Sequence, residues 1–525
     1  MSGLGIGSKL SAFRRDRRGA IAPIFALVAL PLILAAGVGV DVSRVVSARN
    51  NLQDALDAAA LALGRMPSNT PIATLKQTAQ YWLTANLSDK NLPTVTPQVT
   101  VDTANGQIDL SASATIPSAV VGLMGVKTLA VNGHSTVKYG TSHVELALVL
   151  DNTGSMARNN KLQSLKDAAN QLVDTLSASA AQSSDPDVLK IGVVPFSTTV
   201  NIGSGNRGQT WLTGVSPYGS DIFTTAGVDR FLLLDKMKMT WAGCVESRPM
   251  PYDIQDTAPS LATPKTLFTP FFWPDEPDDD YVSGGKTYSQ YDAYANNYLP
   301  DLAVDKTWQN KQGDALKYLP NKAVSGSSIW TGYALGPNAS CQMAPLSRLT
   351  KDTASIKTKL NQMIAVGDTE IPIGLMWGWH VLSPNLPFAD GAAYGTKGVI
   401  KIVVLVTDGQ NTYSDDYNTQ TAATDNSFYT ALGYQWQNRI STDGGSYANP
   451  PQALNDRMAK VCANMKSSGV VIYTVPVEVT DTTVKGLLQG CASSSDKYID
   501  VSSASGMAAA FANIAGSITA LRIAG

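Results

Sequence analysis

The stretch GAIAPIFALVALPLILAAGVGV, Gly19 to Val40, runs 22 residues without a charge. At about 1.5 Å of rise per residue a helix of that length spans roughly 33 Å, enough for a hydrocarbon core, so the segment predicts a transmembrane helix. Pro23 and Pro31 are tolerated there, because helix breakers inside a bilayer find compensating partners. Arg14, Arg15, Arg17 and Arg18 precede the stretch with only Asp16 opposing, whereas the charge after it is sparse and mixed (Asp41, Arg44, Arg49). The positive-inside bias then sets the first residues in the cytoplasm. The expectation is a single-pass protein of the cell inner membrane with its bulk periplasmic or outer-facing. A cleaved signal peptide ending near Leu34–Gly37 is the competing reading. Against it, Asp41 to Arg65 continues without a turn signal as a long amphipathic helix, an anchor extended by a stalk. A buried core helix rarely runs so long without one polar residue.

A chain of 525 residues exceeds what one core serves, and two or three folded units are expected. The net charge of -2 argues against nucleic acid as a partner, since phosphate binding normally needs a basic face. Cys244, Cys341, Cys462 and Cys491 form no C-x-x-C, and the only histidines are His134, His143 and His380, which disfavours a zinc site. Outside the cytoplasm these thiols can pair. Spacing suggests Cys244 with Cys341 and Cys462 with Cys491, although three connectivities are open. Buried free thiols are the reading for the reversed topology.

Residues 1–65 are read as tail, transmembrane helix and stalk. Residues 66–142 are read as a small α+β region: a helix from Thr70 to Leu87, then alternating strands at Gln98–Asp102, Gln107–Pro117 and Thr128–Tyr139. Residues 143–525 alternate apolar strands with helices, the signature of an α/β, doubly wound, mainly parallel sheet. Strands are expected from Val144 through VELALVL, at Val188–Ser197, Ile400–Gly409, Val470–Val479 and Lys497–Val501. Helices are expected at Lys161–Ser177, ending at Lys357–Ala365, and at Pro451–Gly469, Thr482–Ala492 and Met507–Arg522. Two inserts, at about 201–346 and 410–450, interrupt the alternation, and inserts this long carry function or their own fold.

Ligands of open α/β sheets gather at the carboxyl ends of strands where the strand order reverses. The first strand of this domain ends in Asp151, Thr153 and Ser155, a later one in Asp408, and the loop Gly367–Gly374 supplies Thr369. Residues i, i+2 and i+4 leaving a strand can turn toward one point, with Gly154 permitting the tight path. Two carboxylates and three hydroxyls form a hard, oxygen-only shell suited to Mg2+ or Mn2+, and less to Ca2+, which takes more ligands. The ion would keep much of its charge and could accept a carboxylate from a partner. The plainer alternative is that Asp151 and Ser155 only shape the turn before the next helix.

Asp151, Thr153 and Ser155 match the D-x-S/T-x-S signature of the von Willebrand factor A (VWA) domain, and Thr369 and Asp408 stand where that family's other metal ligands fall. The resemblance implies a MIDAS-type site in which Thr153, Ser155 and Thr369 touch the ion while Asp151 and Asp408 act mainly through waters. Residues Gly19–Ala62 resemble the TadE/TadG-type segment of Tad/Flp pilus assembly proteins. The phrases Trp241–Pro249, Gly374–Pro384 and Leu521–Ile523 are similar to TadG-like members carrying a VWA domain. Pseudopilin relatives are cut after Gly and carry Glu five residues later; here Ile24 follows Gly19 at that spacing, which argues against such cleavage.

The function implied is a non-enzymatic, membrane-anchored binding protein for pilus assembly or adherence. It would engage an acidic group of a protein partner, either pilus machinery or a surface receptor, through a Mg-type site. A metal-independent scaffold is the alternative, and a metal-dependent hydrolase with Glu370 as its base a weaker one. The acidic run PDEPDDD, Pro274–Asp280, is expected to be solvated rather than a calcium loop. Trp377 and Trp379 are expected in the core rather than on a recognition surface. His380, at the start of an apolar helix, is expected to be packed or hydrogen-bonded rather than a ligand.

Overall fold

A computed structural model describes residues 21–524 except 65, 67–69, 89–91, 93–94, 103–106, 139–141, 184, 220, 279–280, 284–285, 289–295, 306, 320–334, 414–426 and 441–449. The chain divides into two compact units, Met1–Thr141 with Ile523–Gly525, and Ser142–Arg522.

The first unit is built on one long helix, α1 (Ile21–Gly64). Its carboxyl half buries Ala48, Leu52, Ala55, Leu56, Ala59 and Leu63, spaced three and four apart so that they share one face. Against that face pack α2 (Ile72–Asn86), through Leu75, Ala79 and Leu83, and an antiparallel sheet of β1 (Gln98–Asp102), β2 (Gln107–Pro117) and β3 (Thr128–Lys138). On β2 every second residue from Ile108 to Ile116 is buried, the period-2 pattern of a sheet with one wet face. Gly133 lets β3 lie directly on the helix: a Cβ there would fall 2.6 Å from Leu56 Cδ1. The stalk and the small α+β region therefore share one core.

The second unit is a mixed α/β body around a sheet ordered β10-β9-β4-β5-β6-β7. Its members are β4 (His143–Asp151), β5 (Leu189–Phe196), β6 (Val200–Asn201), β7 (Cys244–Val245), β9 (Val399–Thr407) and β10 (Val471–Pro476), while β8 (Ser347–Thr350) pairs with β5. Strands β10, β9, β4 and β5 are parallel; the short β6, β7 and β8 join antiparallel. On one face Leu146, Leu148, Leu150, Ile191, Ile402 and Val404 meet α3 (Lys161–Ala180), α4 (Thr353–Asn361) and α8 (Met507–Ala524). On the other, Val149, Phe196, Val403 and Leu405 meet α5 (Ile371–Leu382), α6 (Pro450–Ser467) and α7 (Thr482–Cys491). Burial on both faces explains why these strands read as unbroken apolar runs.

The 201–346 insert is continuous with this second core, to which it contributes Trp211, Trp241, Phe271 and Phe272. The 410–450 insert lies partly outside the described residues. Two expectations fail. Lys497–Val501 is not a strand: Ser495–Lys497 is a 3-10 turn, and only single bridges, Thr474 to Tyr498 and Val477 to Val501, reach the sheet. The acidic run is not solvated either, since Asp275 is 0% and Glu276 9% exposed. Asp275 pairs with Lys317 Nζ at 2.8 Å and accepts the amides of Tyr298 and Leu299 at 2.6 Å. Glu276 accepts from Trp273 Nε1 at 2.9 Å, Tyr434 Oη at 2.8 Å and the Asn296 amide at 2.8 Å. Asp279 and Asp280 lie outside the described residues. Trp377 and Trp379 are core residues, and His380 sits in the last turn of α5 rather than its start, its Nδ1 3.4 Å from Asp256 Oδ1. Disulfides join Cys244 to Cys341 and Cys462 to Cys491.

Candidate functional site

Chain order and sheet order part company beside β4: the chain moves from β4 to β5 on one side and returns later to β9 on the other. The crevice such a reversal opens lies at the carboxyl ends of β4 and β9. Their register pairs Leu150 with Val406, which sets Asp151 beside Thr407. Asp151 is fully buried, its Oδ2 accepting from Thr407 Oγ1 at 2.7 Å and its Oδ1 from the Thr153 amide at 2.8 Å.

Beyond the strand end the chain enters a 3-10 turn, Gly154–Asn160. Thr153 Oγ1 lies 3.1 Å from Ser155 Oγ, and Ser155 Oγ donates to Asp408 Oδ1 at 2.6 Å. Two consecutive left-handed residues, Asn159 (φ 54°) and Asn160 (φ 58°), then reverse the chain into α3. Asparagine tolerates that conformation better than most residues. The reversal puts Lys161, the first residue of α3, where its ammonium donates to Asp408 Oδ2.

The loop carrying Thr369 is stitched to the same strand ends by its backbone. Gly154 N donates to Gly367 O at 2.9 Å, Val366 N to Asn152 O at 2.6 Å, and Asp368 N to Thr198 Oγ1 at 2.8 Å. Gly367 has φ +72°, and a Cβ there would come within 2.5 Å of Thr198 Oγ1, so close approach and a left-handed backbone both call for glycine. Thr369 is fixed by Thr412, whose Oγ1 accepts from the Thr369 amide at 2.8 Å and whose amide donates to Thr369 O at 2.8 Å.

Asp151, Thr153, Ser155 and Asp408 are thus drawn together, three of them in one chain of side-chain contacts. Thr369 joins through its loop; no hydrogen bond among the described residues links its hydroxyl to the other four. Burial, and secondly the Asp408 carboxylate, raise the pKa of Asp151, against the opposing hydrogen bonds of Thr153 and Thr407.

The donor set is oxygen only, as a hard divalent cation requires. No group of three or more His, Cys, Asp or Glu side chains suited to a metal occurs among the described residues. An ion here would depend on the hydroxyls and would meet Lys161 already on Asp408. Sequence reasoning missed Lys161 and Thr407. The first reads as an ordinary amphipathic-helix residue, the second as the end of a buried strand. Glu370, the candidate base of the hydrolytic alternative, is 1% exposed, and neither of its carboxyl oxygens has a hydrogen-bond partner of normal geometry among the described residues. Burial pushes its pKa up to about 8.

Residues 19–64 match the family model of the Tad proteins, described as Flp pilus-assembly TadE/G-like. No curated protein matches the chain. Among solved structures the chain is similar to the pilus adhesin SpaC of Lactobacillus rhamnosus GG, with 14% identity over 82% of this chain and 35% of that one, at a TM-score of 0.33. It is similar also to the vWF domain of the type V pili tip protein Mfa5 of Porphyromonas gingivalis, with 12% identity, coverages of 72% and 96% and a TM-score of 0.33. The pilus adhesin RrgA of Streptococcus pneumoniae gives 9% identity, coverages of 82% and 49% and a TM-score of 0.33. The chain spans about a third of the length of the first of these.

Proposed function

We propose that residues 143–525 form a VWA-type binding module, held outside the inner membrane by α1, which serves Tad/Flp pilus assembly or adherence without being an enzyme. The module would hold Mg2+ or Mn2+ through Thr153, Ser155 and Thr369, with Asp151 and Asp408 placed behind them. The bound ion would supply a Lewis-acidic position for a carboxylate of a protein partner. The observation that carries this reading is the meeting of Asp151, Thr153, Ser155 and Asp408 at the carboxyl ends of β4 and β9, where the strand order reverses. The amino-terminal match supports the pilus setting.

The test is thermal unfolding of the detergent-solubilised chain with Mg2+, Mn2+ or EDTA, alongside capture of purified Flp pilus components. Ligand binding to the native state stabilises it by about 2.7 kcal/mol at a concentration of one hundred times Kd. The cation should raise the midpoint of the native chain and leave Asp151→Ala unmoved, and EDTA should abolish capture. Equal capture by both proteins in both media would reject the reading.

Lys161 favours one second reading, a metal-independent scaffold of the pilus machinery in which the ammonium permanently takes the cation's part. It predicts no response of either protein to the ions.

A further inference from the structure

The sequence singles out no chemistry between β2 and β3, yet the hairpin tip carries the most exposed apolar side chains of the small sheet. From Pro117 to Val126 the chain reads PSAVVGLMGV, without a charge. Leu123 is 81%, Met124 67% and Val126 46% exposed. We propose that this tip, residues 120–126, is a second membrane contact that embeds in the lipid leaflet beside α1. The inference rests on the reading that α1 spans the membrane.

Three contacts set the height of the tip. The hairpin descends the helix: Val137 lies against Gly64, Gly133 against Leu56, and Val120 against Gly37, where a Cβ would fall 2.4 Å from Val120 Cγ1. Gly37 lies three residues, about 4.5 Å of helix, inside the end of the uncharged stretch at Val40. The tip beyond Val120 therefore sits at the level where α1 itself meets lipid. That level selects the occupant. A soluble partner stops at the headgroups, whereas bilayer already surrounds the exposed Val38 and Val40 of the helix at this height.

The backbone of the tip is prepared for a medium without water, where each unpaired polar group costs several kcal/mol. Asp41, the first charged residue after the span, turns its carboxylate to three amides of the tip. Oδ1 accepts from Ala119 N at 2.7 Å, and Oδ2 from Val120 N and Val121 N at 2.8 Å each. The amides of Leu123, Gly125 and Val126 donate to the carbonyls of Val120, Gly122 and Val121, and Ser118 N donates to Lys127 O. One carboxylate 78 to 80 residues away in the chain thus locks the tip to the helix. Lys127, just above, is exposed and long enough to reach the headgroups.

The native cysteines are all paired, so one introduced thiol labels uniquely. The full chain carrying Leu123→Cys, Phe25→Cys or Ser111→Cys is labelled with an environment-sensitive fluorophore. Each is reconstituted into phosphatidylethanolamine/phosphatidylglycerol vesicles with or without nitroxide lipids. Phe25 reports the span and Ser111 the exposed face of β2. The expected result is a blue-shifted Leu123 label that nitroxide lipids quench, most strongly those labelled near the headgroup, with Ser111 unaffected. A quenched Phe25 label with Leu123 behaving as Ser111 overturns the proposal and leaves the membrane anchor standing. A blue-shifted Leu123 label that lipid does not quench means that protein covers the tip, and overturns it too. Failure of both Phe25 and Leu123 to be quenched rejects the spanning helix and the proposal together.

Discussion

Lys161 and Glu370 flank the strand-end crevice with opposite problems, a charge that found a partner and a carboxyl that did not. Lys161 is paired with Asp408 and, under the proposed function, would compete with a divalent ion for that carboxylate's charge. Lys161→Met keeps the aliphatic stem and removes the competitor. It should tighten Mg2+ or Mn2+ about tenfold in calorimetric titration, the equivalent of 1.4 kcal/mol; unchanged or weakened affinity would show that the lysine is no competitor. Glu370 is raised to about 8 by burial first, with Asp368 adding to the rise and Thr430 and Arg457 opposing it. An acid whose folded pKa lies above its unfolded value makes the native state the better proton binder between the two. Stability is therefore fullest below the ordinary value of 4.5 and is lost as pH rises toward 8, by roughly 5 kcal/mol at most. Denaturant titrations in EDTA from pH 5 to pH 8.5 should show that decline, and Glu370→Gln should flatten it. A slope that survives the substitution assigns it to other groups.

At the scale of elements, the two inserts are welded to each other by buried charge. Glu246, just after β7, faces Arg230 at 2.8 Å and Arg439 at 3.1 Å, and the Tyr429 hydroxyl donates to it. Asp221 takes the same two guanidinium groups at 2.9 and 3.3 Å. Residues 221, 230 and 246 belong to the first insert, 429 and 439 to the second. Removing one partner of a buried pair costs about 3–5 kcal/mol, because the other charge stays buried without compensation. Glu246→Ala should lower stability by that amount in chemical denaturation, while Glu246→Gln, which can still accept from Tyr429, should lose less; equal, small losses would show the network to be incidental. None of this was legible in the sequence, since its members are separated by up to 218 residues and no local pattern marks them. The strands β4, β5, β9 and β10 were legible because burial on both faces demands continuous apolar runs. The two-residue β6 and β7 were not, because only the fold of the insert draws them into the sheet. Lys497–Val501 misled because apolar alternation alone cannot register the 3-10 turn at Ser495–Lys497. The oxygens of the candidate site could be found from strand ends, whereas Lys161 required the reversal at Asn159 and Asn160.

For the molecule as a whole, the topology drawn from four arginines before an apolar stretch makes a claim about redox chemistry, because both bridges need an oxidising compartment to persist. Their worth differs with the chain each encloses. Cys244 and Cys341 are 97 residues apart, Cys462 and Cys491 only 29. Loop-closure entropy then gives about 4–5 kcal/mol to the first and about 3–4 kcal/mol to the second. Paired serine replacements, Cys244→Ser with Cys341→Ser and Cys462→Ser with Cys491→Ser, separate the two by thermal unfolding. The first pair should lose more, because opening it frees most of an insert whose aromatic residues complete one face of the sheet. The native chain recovered from cell membranes should show no free thiol. If it reacts fully with a thiol reagent before reduction, the bulk of the chain sits on the cytoplasmic side and the orientation inferred from Arg14, Arg15, Arg17 and Arg18 is reversed. If the thiols are paired but the 29-residue bridge proves the more stabilising, the stability of the sheet domain is set by the α6–α7 packing rather than by how firmly the long insert is tied down.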